Sequence, residues 1–302
     1  MALKLTPHIL SRINWRSPLD DPIRRQFLPL KSGILPDHPE LTLDSLHEEE
    51  DSGKSKLSFG AFIVQPILIY GSRSRAGTSI SRQSVISKCV IDPFIILFVT
   101  NCSKATSICP VYCRFCTRAY SVGANTELVT KFPQKPSLTR WEKVFEYIQN
   151  HESIQDIVIS GGDSYQLTSD QIQMMGKRLL DIPHVRRFRI ATRGLAFAPG
   201  RILDPTDSWS NAVIAVSQRG RKMGKQVCIH THFDHPDEIT WITRKAANKL
   251  FEAGVIVRNQ SVLLKGVNDD NETMGKLIKE LADINIQPVS TPAPTSARFS
   301  PR

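Results

Sequence analysis

No run of this chain is apolar for long enough to cross a bilayer. The longest candidates are residues 61–70, broken by Gln65-Pro66, and residues 93–99, whereas a spanning helix needs about 20. The opening residues, Met-Ala-Leu-Lys-Leu-Thr-Pro-His, lack the apolar core of a secretory signal. Cysteine is scarce, six in 302 residues, which excludes a disulfide scaffold for a chain of this size. Acidic residues are missing altogether from 52 to 91, where Lys54, Lys56, Arg73, Arg75, Arg82 and Lys88 supply six of the positive charges behind a net +10. No basic helix or aromatic-interleaved stripe accompanies them, so nucleic acid is not an expected partner. These absences point to a soluble intracellular protein, cytoplasmic or organellar, with reduced thiols and no membrane partner.

Three of the few cysteines are crowded together. Cys109, Cys113 and Cys116 stand as C-x₃-C-x₂-C within eight residues. That spacing turns three soft thiolates from one short loop toward a common centre, which suits iron–sulfur chemistry. A cuboidal 4Fe–4S cluster would then be left with one iron open to a ligand that is not protein. A zinc site completed by Cys102 or a histidine remains a second reading, and three inert thiols a third.

The chain in order gives an arm, an odd insertion and an alternating α/β core. Residues 5–25, punctuated by Pro7, Pro18 and Pro22, read as a short helical arm within an N-terminal segment 1–52. The Ser/Arg/Gly-rich stretch 53–93 carries no packing pattern beyond one apolar patch and is expected to be a disordered insertion. A β-branched strand at 95–101 opens the core. Strands are expected at 154–160, 187–192, 226–231 and 255–264, and helices between them. Thr139 with Glu142, and Thr168 with Gln171, read as capping boxes. Gly254 stops a helix over 240–253, and a further helix covers 273–284. This order predicts a parallel α/β sheet spanning 94–286, with its chemistry at the strand C-termini. The Pro/Ser/Thr-rich remainder, 287–302, is expected to be a disordered tail.

Several other groups carry chemistry. Ser160-Gly161-Gly162-Asp163 closes a strand with glycines that permit close backbone approach. His230, His232 and His235, with Asp234, Asp237 and Glu238, form a metal-competent string. Asn259-Gln260-Ser261 places amides on a strand, where buried ones need partners, from a ligand or from a structural network. Arg118 follows the third cysteine. Arg193 lies at a strand end and suggests no role of its own.

The string Cys-Pro-Val-Tyr-Cys-Arg-Phe-Cys-Thr-Arg resembles the cluster loop of the radical S-adenosylmethionine (SAM) enzymes, and specifically of the lysine 2,3-aminomutase family. The likeness extends over about 5–52 and 95–285, and includes 231–240 and 259–269. It implies an incomplete (β/α)₆ partial barrel with an N-terminal helical arm. It implies that Cys109, Cys113 and Cys116 hold a 4Fe–4S cluster whose open iron binds SAM. Ser160, Gly161, Gly162, Asp163, His232 and Gln260 would then line the SAM site, and Arg118 would meet the substrate carboxylate. The implied reaction is migration of an amino group between neighbouring carbons, lysine to β-lysine. Glutamate, or a lysine of elongation factor P, are alternative substrates, and an inactive iron–sulfur or zinc-binding remnant is a further reading. The implied partners are an amino-acid substrate and an electron donor, with a homo-oligomer left open. The family also uses pyridoxal 5′-phosphate (PLP), bound by a lysine after a Gly-rich run. These residues carry no counterpart of it, and Lys265 is no substitute, so only the SAM half of the mechanism is expected. Asp270 stands where relatives often have a zinc-binding cysteine.

Overall fold

The computed structural model describes residues 3–28, 96–97, 105–116, 118–119, 122–123, 125 and 136–289. The expected insertion 53–93, Cys102 and everything from 290 onward lie outside the described residues. Two short helices form the arm: α1 (Pro7–Arg12) and α2 (Pro22–Phe27). Each begins with proline just inside the first turn and is capped by a side chain, Thr6 accepting from the Ile9 N–H and Asp21 from that of Arg24.

The core alternates strands and helices. Strands are β1 (Ile96–Leu97), β2 (Asp156–Ile159), β3 (Arg187–Ala191), β4 (Gln226–Thr231), β5 (Ile256–Gln260) and β6 (Ile286–Val289). Between them lie α3 (Leu138–Gln149), α4 (Ser169–Asp181), the short α5 (Gly194–Phe197) and α6 (Gly200–Leu203), α7 (Trp209–Lys222), α8 (Trp241–Glu252) and α9 (Asn271–Asp283). Every neighbouring pair of strands is parallel and their order never reverses. That is the wall of a barrel; a doubly wound sheet would turn back at a switch point. Among the described residues no pairing joins β6 to β1, so the wall is open, as an incomplete (β/α)₆ barrel requires.

The helices bury one stripe each against the outer face of the wall. In α3 this is Trp141, Val144, Phe145 and Ile148; in α4 it is Ile172, Met175, Leu179 and Leu180, spaced at the helical period. Gly176 lets α4 press onto α7, since a Cβ there would fall 2.5 Å from Val216. On the strands Ile157, Phe188, Ile190, Val227, Ile229, Val257 and Ile286 face the helices and are buried. The alternate positions face the barrel lumen. Among the described residues no helix is long and apolar enough to cross a membrane.

Of the boundaries that differ from expectation, four have a plain physical cause. The cap of α3 is Ser137, in extended backbone and accepting from the Arg140 N–H; Thr139 is already inside the first turn, and Glu142 pairs with Arg178 instead. Strand β5 stops at Gln260 rather than 264, because the Asn268 side chain takes the Leu264 N–H and the Val262 carbonyl and folds 261–269 into a turn. Helix α9 starts at Asn271 rather than 273, capped by Asp270, whose carboxylate accepts from the Thr273 N–H at 2.7 Å. The core also runs past 286, since β6 pairs with β5 as far as Val289. Pro288 hides this strand in the sequence, yet an edge strand tolerates a residue without an N–H.

Candidate active site

The cysteine loop is held from three sides at the C-terminal mouth of the barrel. The first support is the turn after β2. Residues 105–108 run alongside it, with the Ala105 N–H donating to the Ser160 carbonyl (3.0 Å), the Gly162 N–H to Thr106 (2.5 Å) and the Asp163 N–H to Ile108 (2.9 Å). A Cβ on Gly162 would lie 2.4 Å from the Ile108 carbonyl oxygen. Gly162 is thus needed for the approach of the cysteine loop's own backbone. The Asp163 carboxylate is taken up by the N–H groups of Tyr165 (2.8 Å) and Arg193 (3.0 Å). Burial raises its pKa above the ordinary carboxylate value despite those bonds. Arg118 donates to the Ser160 hydroxyl (3.1 Å) and the Gly161 carbonyl (3.2 Å), tying the far end of the loop to the same turn.

The second support is the N-terminal arm. The Tyr112 N–H donates to the Lys4 carbonyl at 3.0 Å and the Arg114 N–H to the Gln26 carbonyl at 2.9 Å. The Arg114 guanidinium reaches the Arg25 carbonyl at 2.8 Å. The arm is anchored in turn to the barrel by Thr6 on the Phe197 carbonyl, Arg12 on that of Asp237 and Arg25 on that of Gly266.

The third support is Arg193, to which the sequence assigned nothing. Its buried guanidinium donates to the Cys113 Sγ (3.4 Å), the His232 carbonyl (3.0 Å), the Gln26 Oε1 (3.0 Å) and the Glu238 Oε2 (2.9 Å). Asp234 lies 3.4 Å away, and the rings of Phe27, Phe115 and Phe197 surround it at 4.9–5.3 Å. Burial alone would lower its pKa, but Glu238, Cys113 and Asp234 raise it above normal. One cation therefore joins the arm, the cysteine loop, β3 and the segment after β4.

The remaining expected residues fall on this mouth or below it. His232 follows β4, packs its ring 5.7 Å from that of Phe115, and bonds Asp234 at 2.9 Å. Burial would raise the Asp234 carboxyl, but His232, Arg193 and the Val262 N–H hold it below its usual value. His235 caps the short helical turn Pro236–Glu238, its Nδ1 accepting from the Asp237 N–H. Glu238 accepts from the N–H groups of Asp234 and His235 and from Gln26. The amides of β5 divide: Asn259 is satisfied by both backbone groups of Phe233 and by Ser261, whereas Gln260 is exposed at the strand end.

His230, two residues earlier on β4, faces the lumen. Burial, then Arg189, Arg258 and His232, push its pKa down to about 4. In the unfolded chain it takes its proton near the ordinary value of 6.5. The unfolded state therefore binds more protons between those limits, and stability falls as pH falls from about 6.5 to 4. Thermal melts should show this: His230→Gln should lose less of its melting midpoint over that interval than the parent, and equal slopes would refute the assignment.

The three thiols are half-buried. Desolvation pushes Cys113 up to about 12, opposed by Arg193 and reinforced by Cys116, while burial, Asp163 and both other thiols raise Cys109. These mutual effects place the three sulfurs in one electrostatic neighbourhood, where deprotonation calls for a cationic centre. Among the described residues no three His, Cys, Asp or Glu side chains converge closely enough to hold a single metal ion, the cysteine trio included. Three soft thiols on one short loop are the kind of donor set that an iron–sulfur centre takes.

No family model matches the chain. Among curated proteins it is 35% identical over 190 residues to a putative L-lysine 2,3-aminomutase of Aquifex aeolicus, covering 61% of this chain and 45% of the relative. It is 29% identical over 288 residues to the L-lysine 2,3-aminomutase of Clostridium subterminale, covering 95% of this chain and 56% of that one. The chain is a homologue of the lysine 2,3-aminomutases. The glutamate 2,3-aminomutase of Clostridioides difficile is 36% identical over 185 residues, covering 61% of this chain and 40% of its own. The chain thus spans about half the length of the aminomutases it matches. Among solved structures, Streptococcus suis SuiB bound to S-adenosylmethionine overlaps at a TM-score of 0.41 with 12% identity, over 74% of this chain and 49% of that one. So slight a likeness carries no argument beside the sequence relationship.

Proposed function

We propose that this chain forms the cluster- and SAM-binding part of a radical SAM aminomutase acting on a free amino acid. The observation that carries the reading is a three-thiol loop clamped at a barrel mouth, in a homologue of the lysine 2,3-aminomutases. Cys109, Cys113 and Cys116 would hold a 4Fe–4S cluster, which when bound supplies one electron for the cleavage of SAM.

The chain's own residues orient and shield. The turn 160–163 and the arm fix the loop on opposite sides. The carbonyls of Ser160 and Gly161 are already bonded, to the Ala105 N–H and to Arg118. Ser160 Oγ, His232 and exposed Gln260 are polar groups that the mouth would offer to SAM. Asp163 acts on the site indirectly, by bracing the Tyr165 and Arg193 N–H groups. Arg118, held by Ser160 and Gly161, would have to share its guanidinium to meet a substrate carboxylate.

PLP does not fit these residues. No lysine stands on the lumen-facing positions of β2–β6, and Lys265 is exposed on the turn after β5. No step through PLP is derived.

Replacing Cys113 with serine tests the reading. Anaerobic reconstitution of the parent should yield an iron–sulfur chromophore and, with dithionite and SAM, 5′-deoxyadenosine; Cys113→Ser should lose both while keeping its circular dichroism. A parent that takes up stoichiometric zinc and no iron would favour the zinc reading.

A further inference from the structure

The lumen face of the wall carries surplus positive charge. On β2–β6 its only acid is Asp156, and Arg187 and Arg189 both pair with it. Arg258 is left without an acid. Register places Ala191, His230, Arg258 and Gln287 in one row across β3–β6. The Arg258 Nε donates weakly to the Gln287 Oε1 at 3.4 Å, and among the described residues it has no ion-pair partner. Beside it His230 holds a buried Nε2 with no hydrogen-bond partner. The row lies two residues below Gln260 and His232, a drop of about 7 Å along the strands. A side chain of an amino acid bound at the mouth can span that depth.

We infer that Arg258, with His230 and Gln287 beside it, forms an oxyanion subsite under the mouth and selects an amino-acid substrate with an anionic side chain. The inference rests on the aminomutase reading and adds the substrate class to it. A guanidinium flanked by neutral donors is matched to a carboxylate, which it grips in two-point fashion. A lysine side chain entering the same row would bring its ammonium against Arg258, with Asp156 already neutralised by two arginines and unable to offset the repulsion. The relatives include both lysine and glutamate mutases, so sequence similarity leaves the class open and the charge of this row decides it.

Calorimetric titration of the anaerobically reconstituted full chain with L-glutamate, L-lysine and inorganic phosphate tests this. Iron content and SAM cleavage, measured on the same preparation, report separately on the wider reading. L-Glutamate should bind at least about tenfold more tightly than L-lysine, and Arg258→Gln should weaken it by about tenfold or more. Arg258→Lys should restore part of the loss. Because the one side-chain hydrogen bond of Arg258 among the described residues is to Gln287, an unchanged melting midpoint will show that the variants fold. Lysine binding as tight as glutamate, glutamate binding indifferent to Arg258→Gln, or no binding of either amino acid would overturn the inference. So would phosphate binding that depends on Arg258 while glutamate fails to bind, which would make the row a phosphate site.

Discussion

Arg193→Met is expected to destabilise the fold by about 3–5 kcal/mol, the cost of stranding buried acids without their cation. Glu238 and Asp234 are both fully buried and both face this guanidinium, at 2.9 and 3.4 Å. Methionine matches the apolar stem and can still pack among Phe27, Phe115 and Phe197, so the loss isolates the charge rather than the volume. The companion experiment is Glu238→Gln in the same background. If the destabilisation comes from an uncompensated carboxylate, the double variant recovers a large share of it in urea denaturation, giving a coupling of a kcal/mol or more. Strict additivity would mean that Arg193 acts through packing alone. The arm should report the same event: the Gln26 Oε1 loses its Arg193 donor and its Nε2 is left on a Glu238 without its cation, so protease cleavage near 19–28 should accelerate in Arg193→Met and recover in the double variant.

Gly162→Ala is expected to abolish stable iron binding while leaving the barrel folded. The added methyl would meet the Ile108 main chain at 2.4 Å, and backbone cannot step aside as a side-chain tip can. Relief requires the turn 160–163 and the segment 105–108 to part, breaking the Gly162-to-Thr106 and Asp163-to-Ile108 hydrogen bonds. Overpacking of this kind costs about 1–3 kcal/mol, which a core of this size survives. The cysteine loop begins at the next residue, Cys109, so the whole displacement falls on the ligands. Iron retained after anaerobic reconstitution and desalting should drop several-fold relative to the parent, with far-UV circular dichroism unchanged. Equal iron retention would show that the turn and the loop are not coupled.

Much of the fold is legible in the chain because its signals are local. The Thr168–Gln171 capping box, the buried period of α4 and the β-branched run of β4 each announce themselves within a dozen residues. The boundaries that shifted were decided by partners far away in sequence or by ambiguous residues. Asn268 ends β5 from eight residues downstream, and Pro288 disguises an edge strand that only its pairing with β5 reveals. The cysteine loop is legible for the same local reason, three thiols in eight residues. Its supports are not. Arg193 becomes meaningful only when Gln26, Cys113 and Glu238 are brought to it from separations of 167, 80 and 45 residues. An arginine at a strand end was the faint signal available. Likewise Asn259 and Ser261 read as polar groups awaiting either a ligand or a structural network until Phe233 folds back to satisfy them.

The account stands on an iron site that three thiolates leave open to SAM. Mössbauer spectra of the anaerobically reconstituted, ⁵⁷Fe-enriched full chain, recorded with and without SAM, examine that site directly. About four irons per chain are predicted, with one of them changing its isomer shift when SAM is added and the others unaffected. A cluster whose spectrum is indifferent to SAM, or a chain that assembles no cluster under these conditions, would contradict it.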